Sequence, residues 1–212
     1  MSDVPLFQRE FECPSCGGPI PQRTPGARTL VCSYCGQTSH LNADSLETAG
    51  DKHLLIDYGS SFAIGQQIAL GESNDPLLLL GRIRLDYEDG FWDEWYAQNL
   101  NTGAANWLQE DDGQFVHFQR AEAPLASLGY DEVRVGSTIP LSDSYQEVFI
   151  TAKSKASVNG GEGELPFRIV PGEPADFVEG IQQGQVISVE LLPDERAVFV
   201  GRPFELSEIR RL

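Results

Sequence analysis

Positive charge is scarce in this chain: 15 Lys and Arg stand against 32 Asp and Glu, for a formal net charge of −17. A protein that grips a phosphate backbone needs a basic stripe, so nucleic-acid binding is excluded as an expectation. Anionic lipid surfaces are disfavoured for the same reason. Long hydrophobic runs are also missing. The longest aliphatic stretch is Leu77 to Leu80, far short of the roughly 20 apolar residues of a spanning helix, so no direct membrane insertion is expected. The first residues hold no basic segment followed by an apolar one, so no secretory signal is read and the expected compartment is cytoplasmic. The only histidines, His40, His53 and His117, form no H-x-x-x-H or H-E-x-x-H pattern, which argues against a catalytic zinc site. There is no G-x-S-x-G elbow either, and Asn159–Gly163 lacks the Lys-Ser/Thr of a phosphate loop and reads as a hairpin or flexible loop.

Cysteine is the residue whose scarcity is informative in the other direction. All four lie near the start, as Cys13-Pro-Ser-Cys16 and Cys32-Ser-Tyr-Cys35. Paired C-x2-C turns at this separation are a zinc spacing, in which two sulfurs of each tight turn reach one ion at about 2.3 Å. Gly17-Gly18 and Gly36 suit the positive-φ positions of such turns. Cys13, Cys16, Cys32 and Cys35 are therefore the predicted ligands of one Zn2+. Four thiolates close the coordination sphere, so the expected role is structural. His40 is left outside the set. The ribbon carries no basic stripe, since Asp3, Glu10, Glu12, Asp44 and Glu47 outnumber Arg9, Arg23 and Arg28.

The remainder, 41% hydrophobic overall with 21 Gly and 13 Pro across 212 residues, has a turn-rich globular composition. Gly81–Glu88 alternates, with Ile83, Leu85 and Tyr87 on one side and Arg82, Arg84, Asp86 and Glu88 on the other, the pattern of a half-buried strand. Asp89-Gly90 marks a hairpin, and Phe91–Tyr96 is read as the returning strand. Further strands are expected at 104–108, 114–119, 145–152, 165–170, 185–191 and 197–201. Pro193-Asp-Glu195 is expected to form a hairpin between the last two, and 204–212 to close as a short helix or strand. Ile64-Gly-Gln-Gln-Ile68 and Val135-Gly-Ser-Thr-Ile139 echo each other weakly. The fold class is thus mainly β: a zinc ribbon at 1–42, a connector at 43–52, and a barrel- or sandwich-like domain at 53–212, divisible at 53–125 and 126–212 into two related β units.

Several segments carry a resemblance. Phe11–Gly18, Val31–Gly36, Ile64-Gly65, Gly81–Arg84, Tyr87–Gly90, Trp92–Tyr96, Trp107-Leu108, Glu162–Pro166 and Val200–Arg202 resemble the DUF4178 family of bacterial proteins. The resemblance implies a zinc ribbon ahead of a β-rich domain, transfers no catalytic residue, and associates such proteins with membrane proteins, phage-shock-type coat proteins and polyamine-synthase-like enzymes. An accessory role in an envelope or stress system follows as an expectation.

The acids Asp86, Glu88, Asp89, Asp93, Glu94, Glu110, Asp111 and Asp112 gather near Trp92, Trp95 and Trp107. One reading is a core of aromatics with a solvated acidic rim. Another is a cage for a polyamine-like cation, with aromatic faces supplying cation–π attraction. A sugar-cleaving carboxylate pair would need a fixed separation that sequence does not define. The leading expectation is a non-enzymatic adaptor that docks onto another, membrane-associated or phage-shock-type protein with a basic or mixed surface. Its contacts would be the exposed members of Trp92, Asp93, Glu94, Trp95 and Tyr96. The alternative is a sensor of small cations, or an enzyme, using that same segment.

Overall fold

The computed structural model describes residues 8–88, 90–121, 129–140, 147–191 and 196–212. Strands dominate, and among these residues there is no α-helix. The N-terminal part pairs β1 (Arg9–Glu12) with β2 (Pro19–Gln22), then runs through β3 (Thr29–Val31), β4 (Thr38–Asn42) and β5 (Ser45–Thr48) as a meander. The stretch expected to be a polar connector thus contributes β5. Asn42 pairs with Ser45, and Ala43 takes φ 49° in the turn between them, the left-handed geometry that tight hairpins need.

The larger part contains β6 (Gln67–Leu70), β7 (Leu77–Tyr87), β8 (Gly90–Asn99), β9 (Ala105–Asp111), β10 (Gln114–Arg120), β11 (Thr138–Pro140), β12 (Glu147–Ser154), β13 (Ser157–Leu165), β14 (Asp176–Gln182), β15 (Gln185–Leu191), β16 (Arg196–Phe204) and β17 (Ile209–Arg211). The sheet order β14-β15-β16-β10-β9-β8-β7-β13 is antiparallel throughout. It returns on itself where Ser157 bridges Pro174, Val158 N donates to Glu173 O at 2.9 Å and Ala175 N donates to Ala156 O at 2.9 Å. The eight strands therefore form a closed ring. Trp92 on β8 and Phe177 on β14 confirm the closure, with ring centroids 4.7 Å apart. Five inter-strand steps would separate these strands by about 24 Å in a flat sheet. Alternate residues of the ring fill the interior as one apolar cluster, including Leu80, Ile83, Trp92, Tyr96, Trp107, Phe118, Val158 and Phe199. The barrel expectation and the strand at Phe91–Tyr96 agree with this arrangement.

The two echo segments adopt the same local structure. Gly65 and Gly136 have φ of 84° and 85°. Gly65 N donates to Leu79 O at 2.7 Å and Leu79 N to Gln66 O at 2.9 Å; Gly136 N donates to Ile150 O at 2.9 Å and Ile150 N to Ser137 O at 2.9 Å. The register shifts between Leu79 and Gly81 in the first half and between Ile150 and Ala152 in the second. Every residue of the second set lies the same distance along the chain from its counterpart. The first half is a five-stranded meander, β6 to β10; the second has the matching order β11-β12-β14-β15-β16 with β13 inserted after β12, and the last strands of the two join. Each also carries an outer cluster, with Phe62, Leu77 and Leu79 in one and Val133, Val148 and Ile150 at the equivalent places in the other.

Three expectations are corrected. β7 is not half-buried: Leu77 through Leu85 are all buried, Arg82 and Arg84 included, because ion pairs satisfy the polar face. Asn159–Gly163 is neither hairpin nor loop but part of β13. Its glycines let that strand lie against β7, since a Cβ at Gly163 would stand 2.2 Å from Leu80 O. The strand expected at 165–170 ends at Leu165, where Pro166 follows and the chain leaves the sheet. Residues 204–212 form a 3-10 turn at Leu206–Glu208 followed by β17, which pairs with β6. Asp89, Tyr145 and the Pro193–Glu195 hairpin lie outside the described residues.

Candidate metal centre and barrel mouth

The two C-x2-C turns are built alike. Cys13 N donates to Gly18 O at 2.8 Å and Gly17 N to Cys13 O at 2.9 Å; Cys32 N donates to Gln37 O at 3.0 Å and Gly36 N to Cys32 O at 2.9 Å. Gly17 and Gly36 take φ of 74° and 69°. Gly18, grouped with them from the sequence, does not; it leaves room for Tyr34, whose ring carbon would lie 2.9 Å from a Cβ there. The four Sγ atoms lie within 4.8 Å of one another, with Cys13–Cys35 at 3.8 Å and Cys16–Cys32 at 3.6 Å. A tetrahedron of sulfurs around an ion at about 2.3 Å has edges near 3.8 Å, so the set fits a four-thiolate metal site. Burial pushes the Cys32 thiol up to about 12. Burial raises the Cys13 thiol, but the backbone N–H groups of Ser15 and Cys16 together with the neighbouring Cys32 and Cys16 thiols outweigh it and hold it at about 7. His40 stays out of the set: its Nε2 lies 3.0 Å from Ile169 O.

The ribbon is fused to the barrel. β3 pairs with β13 through Leu30–Glu164 and Thr29–Leu165, and Thr29 Oγ1 donates to Phe167 O at 2.7 Å. Glu164, fully buried, accepts from Arg23 N at 2.7 Å, and burial raises its pKa.

The segment expected to touch a partner faces inward. Trp92, Asp93, Trp95 and Tyr96 are 4%, 3%, 1% and 5% exposed, and Glu94 is half-buried. Trp92 and Tyr96 belong to the barrel interior, and Trp95 to the outer cluster under Phe62. No exposed member remains to serve as a contact, because the long alternating strand is covered on both faces. The cation cage also has an occupant from the chain itself. Arg84 places its guanidinium 4.1 Å from the Phe91 centroid and 5.1 Å from that of Tyr58, and donates to Asp93 through Nε at 2.8 Å and Nη2 at 2.7 Å. Glu110 is likewise engaged, accepting from Ser60 Oγ, from Ser61 N at 2.8 Å and from Trp95 Nε1 at 3.2 Å. These residues border a cleft of about 460 Å³ whose chemistry is largely self-satisfied.

A larger cavity of about 710 Å³ opens where the ribbon meets the barrel mouth. Trp107, Phe167 and Phe199 line its apolar side, with Trp107 centred 5.5 Å from Phe167 and 6.3 Å from Phe199. Arg28, Arg120 and Arg168 line its rim, facing the carboxylates Glu173 and Glu190. Deeper in the barrel, Glu94 accepts from Trp92 Nε1 at 2.9 Å, and burial raises its pKa to about 7, aided by nearby Glu179. The sequence did not single out the rim arginines. Arg28 lies just before β3, Arg120 ends β10 and Arg168 follows β13, and the β3–β13 pairing brings the first and the last of them to the mouth that Arg120 borders.

No family model, curated protein or solved structure matches this chain. Among the described residues no helix is long and apolar enough to cross a membrane.

Proposed function

We propose that this protein is a small-molecule-binding barrel carried by a zinc-stapled ribbon. The observation that carries the reading is the cavity of about 710 Å³ at the mouth of a closed eight-stranded barrel. Its size falls within the roughly 300–1,000 Å³ of ligand sites, and barrel mouths and domain junctions are where such sites concentrate. Zn2+ is the proposed ion at Cys13, Cys16, Cys32 and Cys35, supported by four sulfur donors and near-tetrahedral edges. It would fix the ribbon, and with it the side of the cavity that bears Arg28 and His40. The test is native mass spectrometry of protein purified from its own host. One zinc and one small molecule per chain are expected, and the small molecule should be lost on unfolding. Protein that carries nothing, and whose melting temperature no compound of a broad metabolite library changes, overturns the reading.

The adaptor reading keeps one specific observation. Phe149 and Ile181 pair across β12 and β14 and are each 49% exposed, with Val135 56% exposed nearby in sequence to β11. At the position equivalent to Phe149, Leu78 of the first half is buried in the barrel core. An apolar face of this kind suits a protein partner, which the charge of the chain biases toward a basic or mixed rim. Phe149→Ser with Ile181→Ser should abolish capture of a stoichiometric partner without lowering the melting temperature; capture that survives the pair of changes excludes this surface.

A further inference from the structure

We infer that the barrel-mouth cavity takes a small organic anion: a flat apolar body bearing a carboxylate or phosphate head. The inference rests on the ligand-binding reading and adds the ligand's chemical class.

The charge of the cavity runs against that of the chain. The molecule carries −17 overall and has only 15 Lys and Arg. Yet Arg28, Arg120 and Arg168, contributed by three different parts of the fold, border this one opening against two carboxylates. Concentrating scarce positive charge in one concave place opposes the long-range field of the protein, and local charge-assisted hydrogen bonds must overcome that field if an anion is to bind. Guanidinium groups suit this task, because their planar donor fork matches the oxygens of a carboxylate or a phosphate. Arg168 is oriented by its bond to Asn42 Oδ1 at 2.6 Å. The Arg28 guanidinium makes no hydrogen bond or ion pair among the described residues, so its donors are available.

The other wall sets the body of the ligand. Trp107, Phe167 and Phe199 present aromatic faces and edges that stack on flat apolar groups. Trp107 and Phe199 belong to the barrel core and are held rigidly by it. A ligand with its ring on Trp107 and Phe167 and its head at the rim would satisfy both walls. A cationic ligand would meet three arginines against two carboxylates.

The experiment is titration calorimetry of the zinc-loaded full chain with four probes: indole-3-acetate, phenyl phosphate, the neutral indole-3-acetamide and the cationic tryptamine. At least one anion is expected to bind at a single site, at least tenfold more tightly than the amide, with no measurable binding of the amine. The better anion identifies the head group. Arg28→Glu combined with Arg168→Glu, both exposed positions, should weaken that anion at least tenfold while the melting temperature stays unchanged. Phe167→Ala should weaken the anion and the amide alike. Equal binding of amide and anion, or preference for the amine, overturns the anion assignment and leaves a ligand-binding cavity standing. Failure of all four probes at millimolar concentration overturns the assignment too, and the metabolite-library melting screen then reports separately on the broader reading.

Discussion

Arg84 and Asp93 face each other across the β7–β8 hairpin, joined by two parallel bonds of 2.8 and 2.7 Å, and each is only 3% exposed. Arg82 adds a longer contact to the same carboxylate at 3.4 Å and reaches Glu162 at 2.8 Å. Asp93 is thus the only carboxylate paired with the buried Arg84 among the described residues, and a second partner of Arg82. Asp93→Ala should destabilise the protein by about 3–5 kcal/mol, because it leaves a buried guanidinium without its carboxylate. Replacing the pair together, as Arg84→Met with Asp93→Leu, should cost much less. Urea denaturation of both variants distinguishes a structural ion pair from one that the fold merely tolerates.

The same geometry bears on polyamines. Arg84 already lies against Phe91 and Tyr58, which stack on each other, so a second cation entering there would meet a fixed guanidinium charge. Spermidine is therefore expected to bind weakly, at no defined site, and to be displaced by about 0.2 M salt, as screening of an acidic surface requires. A tight, salt-insensitive site in calorimetry would contradict this.

Removal of the metal should have effects beyond the ribbon. β3 connects the cysteine turns to β13 through Leu30 and Thr29. Strong chelation, or Cys16→Ser with Cys35→Ser, is expected to raise amide exchange across Thr29–Val31 and then across Glu164-Leu165. The barrel strands β8 to β10 should stay protected. Atomic absorption should give one zinc per untreated chain.

Glu94 makes the stability of the barrel depend on pH. Its carboxyl is raised from an ordinary 4.5 to about 7 by burial. The folded chain therefore holds a proton that the unfolded chain releases, and stability falls as pH rises from about 4.5 to about 7. Glu94→Gln retains an acceptor for Trp92 Nε1 and should flatten that fall. The variant's melting temperature should exceed that of the parent by several degrees at pH 7.5 and match it near pH 5.

Gly163 tests the close approach of β13 to β7. Its φ of 70° and the 2.2 Å from a built Cβ to Leu80 O leave no room for a side chain. Gly163→Ala is expected to cost about 1–3 kcal/mol. Gly172→Ala, at a φ of 90° with open space around it, should cost less, and denaturation of the two side by side separates packing from backbone strain.

Local chemistry made some of this legible in sequence and long-range pairing hid the rest. The cysteine turns could be read because both the metal spacing and the positive-φ glycine lie within six consecutive residues. Strands β9, β10, β12 and β15 announced themselves by the turn residues that flank them. The burial of Arg82 and Arg84 was hidden, since alternating charge looks the same whether water or an aspartate on the next strand answers it. The glycines of β13 resembled a loop for a similar reason: what they accommodate is a distant backbone, Leu80 O, and not a feature of their own neighbourhood. The mouth arginines lie far apart in the chain, and no spacing rule connects Arg28 to Arg168.

β13 occupies an unusual place in time as well as in space. It lies between β7 and the start of β14, and it is also the strand to which the ribbon's β3 attaches. As the chain leaves the ribosome, the cysteine turns are complete and able to take metal long before residues 157–165 exist. Until then the edge of β3 is bare and the barrel has a gap beside β7. Loop closure over so long a separation is slow. One glycine-rich strand thus both borders the barrel and seats the ribbon, and a nascent chain halted before that strand would hold all four cysteines with no barrel mouth for them to border.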